Sequence, residues 1–115
     1  TNIERTKNGL PELKGMTTLD AAAAKRAQEI VGTFSHTRPN GTSCFTVLGE
    51  FNISYRTAGE NIASGQPDAK SVVTAWMNSP GHKANILSSN FTKLGVGVYK
   101  DASGRMHWAQ MFIGD

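Results

Sequence analysis

The sequence predicts an α/β fold in which helices cover both faces of a small mixed, mainly antiparallel sheet. Three observations lead there. Apolar residues at Leu19, Ala22, Ala23, Ala27 and Ile30 follow helical spacing early in the chain. Helical and extended patterns then alternate rather than segregate. The chain closes on a hairpin pattern, with Leu94–Tyr99 and Met106–Ile113 joined by a turn over Asp101–Gly104.

Taken in order, the first segment reads as the tail of a helix, broken by Asn8-Gly9 and Leu10-Pro11. Thr17 or Thr18 is placed to cap the next helix, with Asp20 in its first turn. Four alanines at 21–24 favour that helix and allow a neighbouring layer to come close, and Gly32 ends it. Residues 33–43 form a loop whose tightest turn is Pro39-Asn40-Gly41. A short helical piece is expected over Cys44–Glu50, then a strand from Tyr55 to Ala63 carrying Glu60 near its middle. Pro67 suits the first turn of a helix from about Asp68 to Asn78, which would bury Val72, Val73 and Trp76. Ser79-Pro80-Gly81 stops that helix, and a short one follows through His82–Leu87. In the final hairpin, glycine alternating with apolar side chains at 94–98 implies that something packs close against the backbone.

The 115 residues suit one domain, 1–115. Apolar residues at 38% and charged residues at 18% exclude a disordered chain. No apolar run approaches the roughly 20 residues of a transmembrane helix. The net charge of +3 is spread along the chain without a dense basic run, which argues against a nucleic-acid partner. One cysteine, Cys44, excludes an intrachain disulfide, and its apolar neighbours Phe45, Val47 and Leu48 suit a buried, unreactive thiol.

The residues able to carry chemistry are few. His36 lies in the loop after a helix, His82 follows Ser-Pro-Gly, and His107 precedes Trp108 in the last strand. No two of them are spaced as local zinc ligands, so a metal site must be assembled from distant segments. Glu60 sits in an otherwise apolar strand and needs a partner there. That partner is a histidine, a metal, or backbone N–H groups. No Gly-x-Ser-x-Gly nucleophile elbow is present, and Gly95-Val96-Gly97 lacks the rest of a phosphate-binding loop.

Six ordered segments carry a resemblance. Asn2-x-x-Arg5 with Gly9-Leu10-Pro11-x-Leu13 is similar to a family's first helix and its exit, without the helix start. Leu19-x-x-Ala22-Ala23-x-x-Arg26-Ala27-x-Glu29 is similar to its second helix, and Phe34 to Gly41 to the loop of its bacterial members. Ala58-Gly59-Glu60-Asn61-Ile62-Ala63 is the most specific segment. Trp76 to Leu87, then Gly95-Val96-Gly97 with His107-Trp108-Ala109-Gln110-Met111-Phe112, complete the set. Together they resemble the CAP superfamily of cysteine-rich secretory, antigen-5 and pathogenesis-related proteins.

The resemblance implies an α/β/α sandwich with a large polar cleft. In eukaryotic members two histidines and two glutamates line that cleft and can hold a divalent metal, often zinc. His36, Glu60 and His107 match three of the four, with His36 and His107 as the metal ligands. Ser79 stands where the second glutamate is expected, and His82 is expected nearby. Two protein ligands make a weak zinc site, since catalytic zinc normally has three. The implied role is that of a secreted, monomeric binding module for a peptide, glycan, lipid or protein ligand. Two alternatives stand beside it. One is a metal-dependent hydrolase, peptidase- or esterase-like, with Glu60 as general base. The other is a structural, wall-associated domain with a vestigial cleft.

Overall fold

The computed structural model describes residues 1–115. The elements run α1 (Asn2–Lys7), β1 (Lys14–Gly15), α2 (Thr17–Gly32), α3 (Thr46–Glu50), β2 (Thr57–Ser64), α4 (Ala69–Met77), α5 (Pro80–Ile86), β3 (Lys93–Lys100) and β4 (Met106–Gly114). The sheet order is β1-β3-β4-β2, with β1 parallel to β3 and the other pairs antiparallel. This is the mixed, mainly antiparallel sheet the sequence predicts.

Side chains alternate across a strand, so β4 feeds two cores. Ala109, Met111 and Ile113 join Leu19, Ala22, Ala23, Ala27 and Ile30 of α2 and Val47 and Leu48 of α3 on one face. Trp108 and Phe112 join Val72 and Trp76 of α4 and Ile86 of α5 on the other. Helices therefore cover both faces, and the architecture is a three-layer α/β/α sandwich.

The close approach anticipated at the glycines is that of α2. A Cβ on Gly95 would lie 2.3 Å from the Leu19 carbonyl carbon, and one on Gly97 2.3 Å from the Ala24 nitrogen. Only a bare backbone lets the helix settle this low on β3. Asp20 adds a specific tie, since its Oδ1 accepts the Val96 N–H at 2.9 Å.

Three local expectations change. Met16 occupies the N-cap of α2 and Thr17 is already helical, so no threonine side chain caps it. Pro67 stands outside α4, and Asp68 is the cap, its carboxylate accepting the Ser71 N–H. Val73 is only half-buried, whereas Val72 and Trp76 are in the core. The Trp76 indole N–H also donates to the Ile62 carbonyl at 3.1 Å, which satisfies the one polar atom of that ring.

Candidate functional site

Arg26 sits on the buried stripe of α2 and is fully enclosed. A guanidinium cannot shed its charge, so enclosure demands acceptors. Its Nε donates to Glu60 Oε2 at 2.6 Å and its Nη2 to Glu60 Oε1 at 3.1 Å. Nη1 donates to Glu29 at 2.8 Å, and Nη2 also reaches the Ser35 carbonyl at 2.6 Å. The fork-to-fork pairing with Glu60 is the strong, geometrically specific form of an arginine–carboxylate contact. It joins α2 to the middle of β2.

The loop after α2 then places His36 beside the same carboxylate. Arg38 anchors this loop by donating to Glu29 and Glu50, and its backbone N–H closes onto the Thr42 carbonyl at 2.7 Å. Gly41 takes the left-handed conformation, φ +86°, that the turn requires. The Cys44 N–H donates to the His36 carbonyl at 2.8 Å, which fixes the backbone of the histidine. The His36 Nδ1 lies 2.8 Å from Glu60 Oε1.

Glu60 is 1% exposed at its side chain and His36 58% exposed, so a buried carboxylate holds an imidazole whose other edge faces solvent. That edge opens into a depression of about 430 Å³ lined by Thr37, Ser43, Phe45, Ala58 and Asn85, with Cys44 and Glu60 behind. Asn85 of α5 is fixed in turn, donating to the Glu60 carbonyl at 3.2 Å and to Asn61 Oδ1 at 2.9 Å.

Burial alone would raise the Glu60 carboxyl, but His36 and Arg26 together outweigh it and hold the group below the ordinary carboxylate range. His36 is raised above its ordinary value by its bond to Glu60. Burial, reinforced by the Glu60 charge, pushes the Cys44 thiol up to about 12. At neutral pH Glu60 is therefore an anion and an acceptor only. The His36 Nδ1 must donate to it, and in the neutral ring Nε2 carries the free lone pair.

The residues expected in one cleft are divided. His36 and Glu60 meet, with Cys44 beside them. His82 lies near enough for the His36 charge to add to burial in lowering its pKa, and its carbonyl accepts from Asn61 at 3.2 Å. Ser79 is half-buried at the N-cap of α5 and does not line this depression. His107 lies opposite Ser64 in the β2–β4 register, four residues beyond Glu60 and about 13 Å along the strand at the usual rise. Its Nδ1 is 2.8 Å from Ser64 Oγ and its Nε2 2.8 Å from Asp101 Oδ2, so both ring nitrogens are engaged there.

A metal-ligand set can be drawn from His36, Cys44 and Glu60, whose donor atoms lie within 4.8 Å of one another. As arranged it does not suit a divalent ion. Both Glu60 oxygens already accept from Arg26, the His36 nitrogen facing Glu60 is a donor, and the thiol is protonated. The buried Arg26 guanidinium also places a permanent positive charge where an ion would need a negative one.

Arg26, Arg38 and Asn85 escape the sequence prediction of the site. Arg26 leaves a signal. It falls one heptad after Leu19, on the apolar stripe, with Glu29 three residues on, and an arginine there must find an internal partner. Arg38 and Asn85 leave none, because their roles depend on how the loop after α2 folds back and how α5 packs against β2.

The model of the family described as CAP, the cysteine-rich secretory protein family, matches residues 1–112. The Bacillus subtilis (strain 168) protein YkwD is 47% identical over 99% of this chain and 44% of its own length. The membrane protein YlbC of the same strain is 34% identical over 98% of this chain and 32% of its own. The chain thus spans less than half the length of these relatives. An extracellular SCP-domain protein of Bacillus anthracis str. Ames superposes with a TM-score of 0.90, at 32% identity over 99% of this chain and 37% of that one. An outer surface protein of Borrelia burgdorferi superposes with a TM-score of 0.88, at 26% identity over 98% of this chain and 85% of that one. The neighbours are extracellular or surface proteins, and no helix here is long and apolar enough to cross a membrane. The family match over nearly the whole chain, with these bacterial relatives, shows that the chain belongs to the CAP family, in its bacterial form.

Proposed function

We propose that this domain is an extracellular interaction module that binds a polar peptide or glycan segment in the depression around His36. One observation carries the reading. Glu60 is neutralised internally by Arg26 and spends its remaining capacity on orienting His36, whose outer edge is exposed in a recess of mixed polar and apolar character. A preoriented hydrogen-bonding group beside an aromatic ring is a binding arrangement. It is a poor hydrolytic one, because a carboxylate held below its ordinary range by His36 and a bidentate arginine is a weak general base. The extracellular setting of the structural neighbours supports placing the module outside the cell.

The test is an amide NMR titration with soluble wall glycopeptides and with unstructured peptides. Shifts should concentrate at His36, Thr37, Ser43, Phe45 and Asn85, and His36→Ala should weaken binding about tenfold or more. Shifts concentrated on another face, or parental affinity in His36→Ala, would refute the reading.

A further inference from the structure

The second depression on this sheet face contains an ordered set of groups that the binding reading does not use. It is bounded by Val31 and Phe34 at the exit of α2 and by Ser64, Asp101, Arg105 and His107 at the end of the sheet. Asp101 is an anion held below the ordinary carboxylate range by His107 and by Ser103. Its Oδ1 accepts the N–H groups of Ser103 and Arg105, which fixes the turn, while Oδ2 faces His107 Nε2 at 2.8 Å. An anionic carboxylate only accepts, so Nε2 carries the proton. In the neutral ring Nδ1 is then the acceptor, and the Ser64 hydroxyl, 2.8 Å away, must donate to it. A hydroxyl, a basic imidazole nitrogen and an orienting carboxylate stand in hydrogen-bonded series, as nucleophilic catalysis by serine requires. The imidazole edges are exchanged relative to the familiar serine hydrolase arrangement, but either nitrogen can act as base when the other N–H is held.

We propose that Ser64, His107 and Asp101 form an acyl-transfer site that acts on short-chain carboxylic esters. The exposed Phe34 and Val31 supply an apolar wall for the acyl chain. Arg105 lines the same depression as Ser64, with its guanidinium against the adjacent Gly65, and supplies a cation for the developing oxyanion. Ser64 Oγ bonds to the ester carbonyl carbon as its proton passes to His107 Nδ1. The carbon–alkoxide bond then breaks and the alcohol leaves with that proton. Water attacks the acyl-Ser64 ester, again giving a proton to Nδ1, and the acid departs as Ser64 recovers its hydrogen. No oxidant or further reactant is needed.

The experiment uses a fluorophosphonate probe, with peptide mass spectrometry to locate the label, and p-nitrophenyl butyrate turnover. Ser64 should be labelled in the folded chain. Asp101→Asn, which keeps the Oδ1 acceptor of the turn, should slow that labelling by roughly tenfold or more. Ser64→Ala should lose most ester turnover at an unchanged melting temperature. An unlabelled Ser64 in the folded parent overturns the proposal whatever the variants do. So does labelling of Asp101→Asn at the parental rate, or equal turnover by Ser64→Ala and the parent. Ligand binding at His36 is read by separate resonances, so failure here leaves the binding reading to its own test.

Discussion

Arg26 decides what the predicted cleft can be. The sequence shows Glu60 as a carboxylate in need of a partner, and His36 is one of the partners it makes available. The dominant partner is instead an arginine, scattered to the eye among the other basic residues and legible only through its place on the apolar stripe of α2. Because both members of the pair are buried, removing the Glu60 charge takes the carboxylate from the Arg26 Nε and leaves Glu29 as the remaining charged partner of a fully enclosed guanidinium. Glu60→Gln should therefore destabilise the domain by roughly 3–5 kcal/mol in denaturant melts, and a loss below about 1 kcal/mol would mean that Arg26 finds other acceptors. Cys44 is simpler. Its neighbours suggest burial, it is 3% exposed, and its thiol is raised to about 12. A maleimide or disulfide reagent should leave it unlabelled in native buffer and label it fully in denaturant. Rapid native labelling would contradict both its burial and its protonated state.

At the scale of elements the sequence is most informative where spacing is physical. The α2 stripe, the Val72–Trp76 face of α4 and the glycine alternation in β3 each follow from a periodicity, and each is found. Element ends are less legible, because capping depends on a single backbone conformation. Met16 holds the cap that propensity assigns to Thr17 or Thr18, and Asp68 caps α4, which leaves Pro67 outside the first turn expected for it. The α2–β3 contact carries the clearest consequence. Gly97→Ala would drive a Cβ into helix backbone that cannot swing aside, so a loss of about 1–3 kcal/mol is expected from thermal or denaturant unfolding. An unchanged melting temperature would place α2 higher above the sheet. Trp76→Ala removes a core ring together with its bond to the Ile62 carbonyl, and about 3–5 kcal/mol should be lost. Less than about 1 kcal/mol would mean that α4 packs in another register.

For the whole molecule, the sandwich was legible and the layout of its polar face was not. Motif order brings α2, the loop, β2 and β4 to one face, and the fold follows. The distance between His36 and His107 depends on strand register, on which way the loop folds, and on Asp101 reaching back from the last turn. None of these has a local sequence signature. Two separate polar centres result, one built on Arg26 and Glu60, the other on Asp101 and His107.

Glu60, neutralised by Arg26, orients His36 and leaves its Nε2 edge open. Its linkage has a definite sign. His36 has a pKa raised above 6.5, so the stabilisation from its charged pairing is complete below that pH and is lost as pH rises through the higher folded value. Glu60 has a pKa lowered below 4.5, so its contribution holds above that pH and fades as pH falls through the lower folded value. The most direct measurement is a nitrogen-detected NMR titration of the His36 ring. A midpoint above 6.5 is expected, with the neutral ring protonated at Nδ1 and bare at Nε2. A midpoint at or below 6.5, or a neutral ring protonated at Nε2, would contradict it.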